Sequence, residues 1–118
     1  MQLSEIEFGN AKPIEGYGPD FYRLDGQAHP APVLIMAGQA LSWGGLGDAD
    51  TLLALAGRVD VLLVGTGPQI AHLPKDLRMA LEDAGIGAEI MDSPAACRTY
   101  NVLLSEQRRV AVALLPAV

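Results

Sequence analysis

The chain has 118 residues, the size of one domain, and residues 1–118 are read as such. Half of the residues are hydrophobic but only 5% are aromatic, so the core must be built from Leu, Val, Ala and Ile, and this apolar content argues against disorder. The net charge of −6 repels polyanions and disfavours nucleic acid as a partner, while no apolar run approaches the ~20 residues needed for a membrane span, so no membrane insertion is expected.

Taken in chain order, Leu3–Phe8 carries a partial apolar and polar alternation and predicts a half-buried strand. Asn10–Asp20 holds Pro13, Gly16, Gly18 and Pro19 and predicts mostly loop. Phe21–Leu24 predicts a strand closed by an Asp25-Gly26 turn, because such a hairpin turn needs positive φ. His29-Pro30-Ala31-Pro32 reads as a loop leading into a strand over Val33–Met36. Gly38–Gly47, with Trp43-Gly44-Gly45, reads as a flexible connection.

Asp48 is a plausible N-cap for a helix whose apolar face is Leu52, Leu53, Leu55 and Ala56, with Gly57 at its end. Val59–Val64 predicts a central buried strand. Pro74 sits at the first turn of a helix carrying Leu77, Ala80, Leu81 and Ala84 at helical spacing, which Gly85 stops. Ala88–Met91 predicts a short strand. Asp92 or Ser93 caps a third helix lined by Ala96, Tyr100, Leu103 and Leu104, and Val110–Leu115 predicts the last strand.

Strands that alternate with helices form βαβ units, so the last three strands should be parallel neighbours in one sheet. The earlier strands, joined by short loops, should extend that sheet antiparallel. The expected fold class is α/β: a compact mixed sheet with three parallel C-terminal strands and helices packed on it.

Ligands of open α/β sheets bind beyond the C-terminal ends of the strands. Two loops meet there. One is Gly65-Thr66-Gly67, whose glycines allow backbone N–H groups close to a ligand. The other is Asp92-Ser93-Pro94, at a helix N-terminus rich in unpaired N–H donors. Arg98, Thr99 and Asn101 could add side-chain contacts to an anion. The competing readings are a plain strand-exit turn for the glycines and an ion pair for Arg98, with Asp92 nearby. Gly-Thr-Gly lacks the third glycine of the dinucleotide fingerprint, and no Gly-Lys-Ser/Thr follows it.

Cys97 is the one cysteine, so no intramolecular disulfide forms, which fits a reducing compartment. The N-terminal MQLSEIEFGN has neither a basic start nor an apolar stretch, so no signal peptide is expected and the location read is cytoplasmic. Near a helix N-terminus Cys97 could act as a nucleophile, but His29 and His72 stand at no telling distance from it, and an inert buried thiol is the alternative. Those three residues show no metal-ligand spacing, so no metal, no cofactor and no catalytic residue is assigned. Trp43, beside two glycines, is either an exposed anchor for a partner or a core residue.

VLLVGTG, followed by LPKDLRMALEDAGIGAEIMDSPAACRTYNVLLSEQRRVAVALLP, closely resembles the Mth938-like family, formerly domain of unknown function 498. The Gly-Thr-Gly loop, the Leu-Pro pair and the ACRTYNVL segment carry the resemblance. It implies a compact α/β fold of the Mth938 type. One eukaryotic branch of the family resembles an assembly factor for mitochondrial respiratory complex I that acts through protein partners. No catalytic residues come with the family. The expected function is therefore a non-enzymatic binding or assembly module with an unidentified protein partner. The alternative is an enzyme or sensor that takes a small anionic ligand at Gly65–Gly67 and Ser93–Arg98.

Overall fold

The computed structural model describes residues 12–118; the strand expected over positions 3–8 lies outside them. Eight strands and three helices follow in the order β1 (Ile14–Tyr17), β2 (Phe21–Leu24), β3 (Gln27–Pro30), β4 (Val33–Met36), β5 (Gln39–Ser42), α1 (Ala49–Leu53), β6 (Val61–Gly65), α2 (Lys75–Asp83), β7 (Ala88–Met91), α3 (Ser93–Ser105) and β8 (Val110–Leu114). Five strands form a mixed sheet in the order β5-β4-β8-β6-β7. As the alternation with helices requires, β6 pairs parallel with both β7 and β8, whereas β4 runs antiparallel to β8 and to β5.

Four expectations for the N-terminal half are corrected. The first three strands do not extend the large sheet but form an antiparallel sheet of their own, β1-β2-β3. β1 lies inside the stretch read as loop; its register shifts between Ile14 and Gly16, so the irregularity that hid it is built into the strand. His29 and Pro30, read as loop, end β3. β5 occupies the first part of the connection expected to be flexible, and it pairs with β4 through Ala37-Gly38, both at positive φ (52° and 76°). Two consecutive residues of that conformation make the tight turn whose twist matches paired strands. Asp25-Gly26, at 51° and 78°, makes the expected turn of the same kind between β2 and β3.

The large sheet is buried on both faces, and the two-residue period of its strands divides the core into two layers. Leu62 and Val64 of β6 pack with Leu34, Leu52, Leu77 and Leu81 on the side of α1 and α2. Val61 and Leu63 face the other way, with Ala96, Cys97 and Tyr100 of α3 and with Ile14, Tyr22 and Leu24 of the small sheet. The small sheet thus covers α3's side of the domain. Asn101 of α3 fastens it there: its amide accepts from Ile14 N–H at 2.8 Å and donates to the Ile14 carbonyl at 2.9 Å.

The helix starts follow local chemistry. Asp48 caps α1, accepting from Thr51 N–H and from the Thr51 hydroxyl, and the Thr51 hydroxyl bond leads the effects that hold its carboxyl below the ordinary carboxylate range. Pro74 stands one position earlier than expected, as the cap residue of α2. Asp92 caps α3, with Pro94 just inside the first turn. Among the described residues no helix is long and apolar enough to cross a membrane.

Candidate functional site

The two loops expected to meet at the strand ends do meet. β6 ends at Gly65 and α3 begins at Ser93, and the two backbones touch because residue 65 lacks a side chain. A Cβ there would lie 2.8 Å from the Ser93 Cα and 2.9 Å from both Ser93 Oγ and Leu114 Cδ2. Gly67, two residues on, has φ +111°, a conformation that other residues rarely adopt.

The meeting place is filled by its own hydrogen bonds. Ser93, fully buried, accepts from Gly67 N–H at 2.9 Å and donates to the Leu115 carbonyl at 3.0 Å. Ser93 N–H donates to the Gly67 carbonyl at 2.7 Å, and Thr66 N–H donates to the Met91 carbonyl at 2.9 Å. Thr66 Oγ1 accepts from Ala71 N–H at 2.9 Å and lies 3.0 Å from the Gln69 carbonyl. At the start of α3, Pro94 has no N–H, Ala95 N–H donates to the Asp92 carboxylate at 2.7 Å and Ala96 N–H to the Asp92 carbonyl.

The anionic-ligand reading calls for free donors at the glycine loop and the start of α3; the Thr66, Gly67 and Ser93 N–H groups are bonded within the chain, and the Asp92 carboxylate sits on the helix N-terminus. Arg98 is exposed and belongs to neither ion pair of the described residues, which are Lys12–Asp25 and Arg109–Asp60. The Asp92 ion pair weighed as its alternative is therefore absent too. Asn101 serves the small sheet. Thr99 lies apart from the glycine loop, in a shallow depression with Leu103 and Arg108.

Trp43 is 3% exposed, which removes the exposed-anchor reading. Its Nε1–H donates to the Asp48 carbonyl at 3.2 Å, while the Asp48 carboxylate accepts from Gly44 N–H at 2.9 Å, so Asp48 ties both the indole and the Gly44 backbone to the start of α1.

Cys97 is buried on α3's side, and burial is the main force that pushes its thiol up to about 12, against a smaller lowering by the Arg98 charge. A thiol held protonated is no nucleophile at neutral pH. His72 lines a surface depression with Leu73 and Ile90, which pack on the α2 side of the sheet, away from Cys97. Among the described residues no three His, Cys, Asp or Glu side chains gather as metal ligands would.

That depression, of about 310 Å³, is lined by Ile70, Ala71, His72, Leu73, Arg78 and Ile90, and Ile70 is 65% exposed. Sequence reasoning missed it. Its signal was Ile70, a large apolar residue in the loop after β6, but its wall depends on where α2 and β7 pack.

Arg98 and Asn101, two of the α3 residues grouped with the glycines, should respond differently to truncation. Arg98→Ala should leave the melting temperature nearly unchanged, within about ±0.5 kcal/mol of stability, as for an exposed side chain without an ion-pair partner among the described residues. Asn101→Ala strands the Ile14 backbone groups and should cost about 2 kcal/mol. Thermal melts of both variants check this.

The fold defines an α/β domain with a mixed sheet, in which hydrogen bonds join the end of β6 to the start of α3. The chain belongs to the protein family of unknown function DUF498/DUF598, whose model matches residues 14–115. An uncharacterized protein of Rhodobacter capsulatus is 54% identical over 98% of this chain and 94% of its own length. A Danio rerio relative, named NADH dehydrogenase (ubiquinone) 1 alpha subcomplex assembly factor 3, is 30% identical over 98% of this chain and 71% of its own length.

Among solved structures, a Bartonella henselae protein described as an outer membrane protein superposes with a TM-score of 0.79 at 31% identity, covering 93% of this chain and 98% of that one. A Bordetella pertussis protein described as an Mth938-like domain gives 0.71 at 31% identity, covering 90% and 86%. The Mth938-like resemblance read from the sequence is thus correct.

Proposed function

We propose that this protein is a non-enzymatic module of one domain that acts in the cytoplasm, binding a protein partner during assembly of respiratory complex I. The observation that carries this reading is the match, over nearly the whole chain, to a relative named as an assembly factor of the NADH dehydrogenase alpha subcomplex. The geometry supports the binding half. The crevice where an α/β enzyme would hold its substrate is occupied by Ser93 and its bonds, the one thiol is buried and protonated, and the open depression is largely apolar. An apolar surface hollow suits a protein side chain better than a charged metabolite.

The test is deletion of the gene in its cell of origin, with assembled complex I measured by native electrophoresis and NADH–quinone activity in membranes. Both should fall and return on complementation. Unchanged levels of the assembled complex would reject the reading.

A further inference from the structure

We propose that the free edge of β7 is the docking site, and that it takes an extended segment of a partner protein as an added strand. This rests on the protein-binding reading above and names the kind of segment bound. Among the described residues β7 is the last strand of the large sheet, and none of them pairs with its outer edge. The Gly87 and Met91 carbonyls accept from Leu62 and Thr66 N–H on the β6 side. The two-residue alternation therefore turns the N–H and C=O groups of Ala88 and Ile90 outwards, where the sheet ends.

The surface hollows flank this edge. On the α2 side lie the depression of about 310 Å³ and an adjoining one of about 130 Å³, which reaches Leu81, Ile86 and Ala88. On the α3 side a third, of about 420 Å³, is lined by Glu89, Thr99, Leu103 and Arg108 among others. A strand laid along β7 would send alternate side chains into the two sides.

The walls specify the occupant. The α2 side is apolar apart from Arg78, His72 and Glu82, and Arg78 belongs to no ion pair of the described residues. It calls for apolar side chains at every second position and a carboxylate for Arg78. The α3 side carries balanced charge, with Asp60 paired to Arg109 and with Glu89 and Arg108 beside them, so it suits uncharged polar side chains. A second copy of this chain fits poorly. The antiparallel register that uses Ala88 and Ile90 on both copies sets Glu89 opposite Glu89, between chains of net charge −6.

The probe is a capped synthetic peptide, Asp-Thr-Val-Thr-Val-Thr-Asp, whose Val and Asp side chains share one face, added to the full-length protein, with amide exchange and chemical shifts read by NMR. In the free protein the Ala88 and Ile90 amides should exchange at least ~10-fold faster than those of Glu89 and Met91, which face β6. The peptide should slow Ala88 and Ile90 selectively. Arg78→Glu should weaken binding by about tenfold, the size of one charge-assisted contact.

Ala88→Pro should abolish binding and keep the fold, since proline is tolerated where an edge N–H faces solvent. If that variant does not fold, Ile70→Asp, at an exposed position, should abolish binding instead. Protection of Ala88 and Ile90 in the free chain overturns the proposal, because the edge is then covered already. So does a peptide that leaves β7 unperturbed at millimolar concentration, or one that binds Ile70→Asp as well as wild type. Should any of these occur while complex I assembly still depends on the gene, the edge proposal falls and the assembly reading stands.

Discussion

Above about pH 9 the domain is expected to lose stability steeply, because three buried acids of one core layer resist ionisation. Cys97, Tyr22 and Tyr100 are 5%, 0% and 0% exposed and pack in the same cluster. Burial pushes the Cys97 thiol from 9.0 to about 12 and the Tyr22 phenol from 10.0 to about 12, the latter against a lowering by its hydrogen-bond neighbour Ser93. Burial raises Tyr100 as well, and its hydroxyl has no hydrogen-bond partner among the described residues.

The sign follows from proton counts. Each group keeps its proton in the native state at a pH where the unfolded chain has released it, so the unfolded state binds fewer protons and stability falls as pH rises. The contribution is intact below about pH 9 and is lost as pH climbs from there through about 12. Each group adds a slope of up to about 1.4 kcal/mol per pH unit, or about 4 kcal/mol per unit where all three act. With the thiol acting from about pH 9 and the phenols from about pH 10, the loss reaches about 5–6 kcal/mol by pH 11, enough to unfold a domain at the lower end of the typical ~5–15 kcal/mol.

Melting temperatures by circular dichroism between pH 7 and 11.5 check it, and a flat profile up to pH 11 contradicts it. Cys97→Ala should move the onset up, towards the unfolded tyrosine value of about 10. In the native wild type at pH 8, iodoacetamide should alkylate Cys97 at least ~100-fold more slowly than in denaturant.

The C-terminal half of the fold was legible because its signals are local and redundant. Val61–Gly65 and Val110–Leu114 are nearly unbroken apolar runs, as strands buried on both faces must be. Asp48 and Asp92 cap their helices through bonds to residues three further on, and Gly57 and Gly85 take the positive φ that ends a helix. The N-terminal half was harder. β1, β3 and β5 (IEGY, QAHP and QALS) carry at most two apolar residues each, against three or four in β2, β4 and β7, and Ala37 holds a positive φ that glycine or asparagine would have announced.

The site divides the same way. That the glycine loop meets the start of α3 follows from the order of strands and helices. That the loop is already satisfied does not, because its decisive partner, Ser93, lies 26 residues from Gly67 and 22 from Leu115. A sequence offers the donors at a helix N-terminus and is silent on which are taken. The β7 edge was out of reach for a related reason: which strand ends a sheet depends on how all the strands pair.

Gly65→Ala and Ser93→Ala are both expected to destabilise the domain, and they separate two roles of one contact. At Gly65 the added methyl would meet the Ser93 Cα at 2.8 Å, a backbone atom that cannot swing aside, and Leu114 Cδ2 at 2.9 Å. Relief requires α3 to back away from β6, which loosens Ala96, Cys97 and Tyr100 in the core. Overpacking of this kind costs about 3 kcal/mol. Ser93→Ala leaves the spacing intact but orphans the Gly67 N–H, and the Leu115 carbonyl keeps only the Tyr22 hydroxyl, at 2.6 Å. One buried donor without a partner costs about 1–3 kcal/mol, so this change should be the milder of the two.

Melting temperatures should drop by roughly 10–15 °C for Gly65→Ala and by about 5–10 °C for Ser93→Ala. The pair is most telling in combination. If the clash with Ser93 Oγ dominates, Gly65→Ala with Ser93→Gly recovers part of the loss. If the backbone approach dominates, the losses add. The 2.8 Å distance to the Ser93 Cα favours addition, because no substitution at position 93 moves that atom.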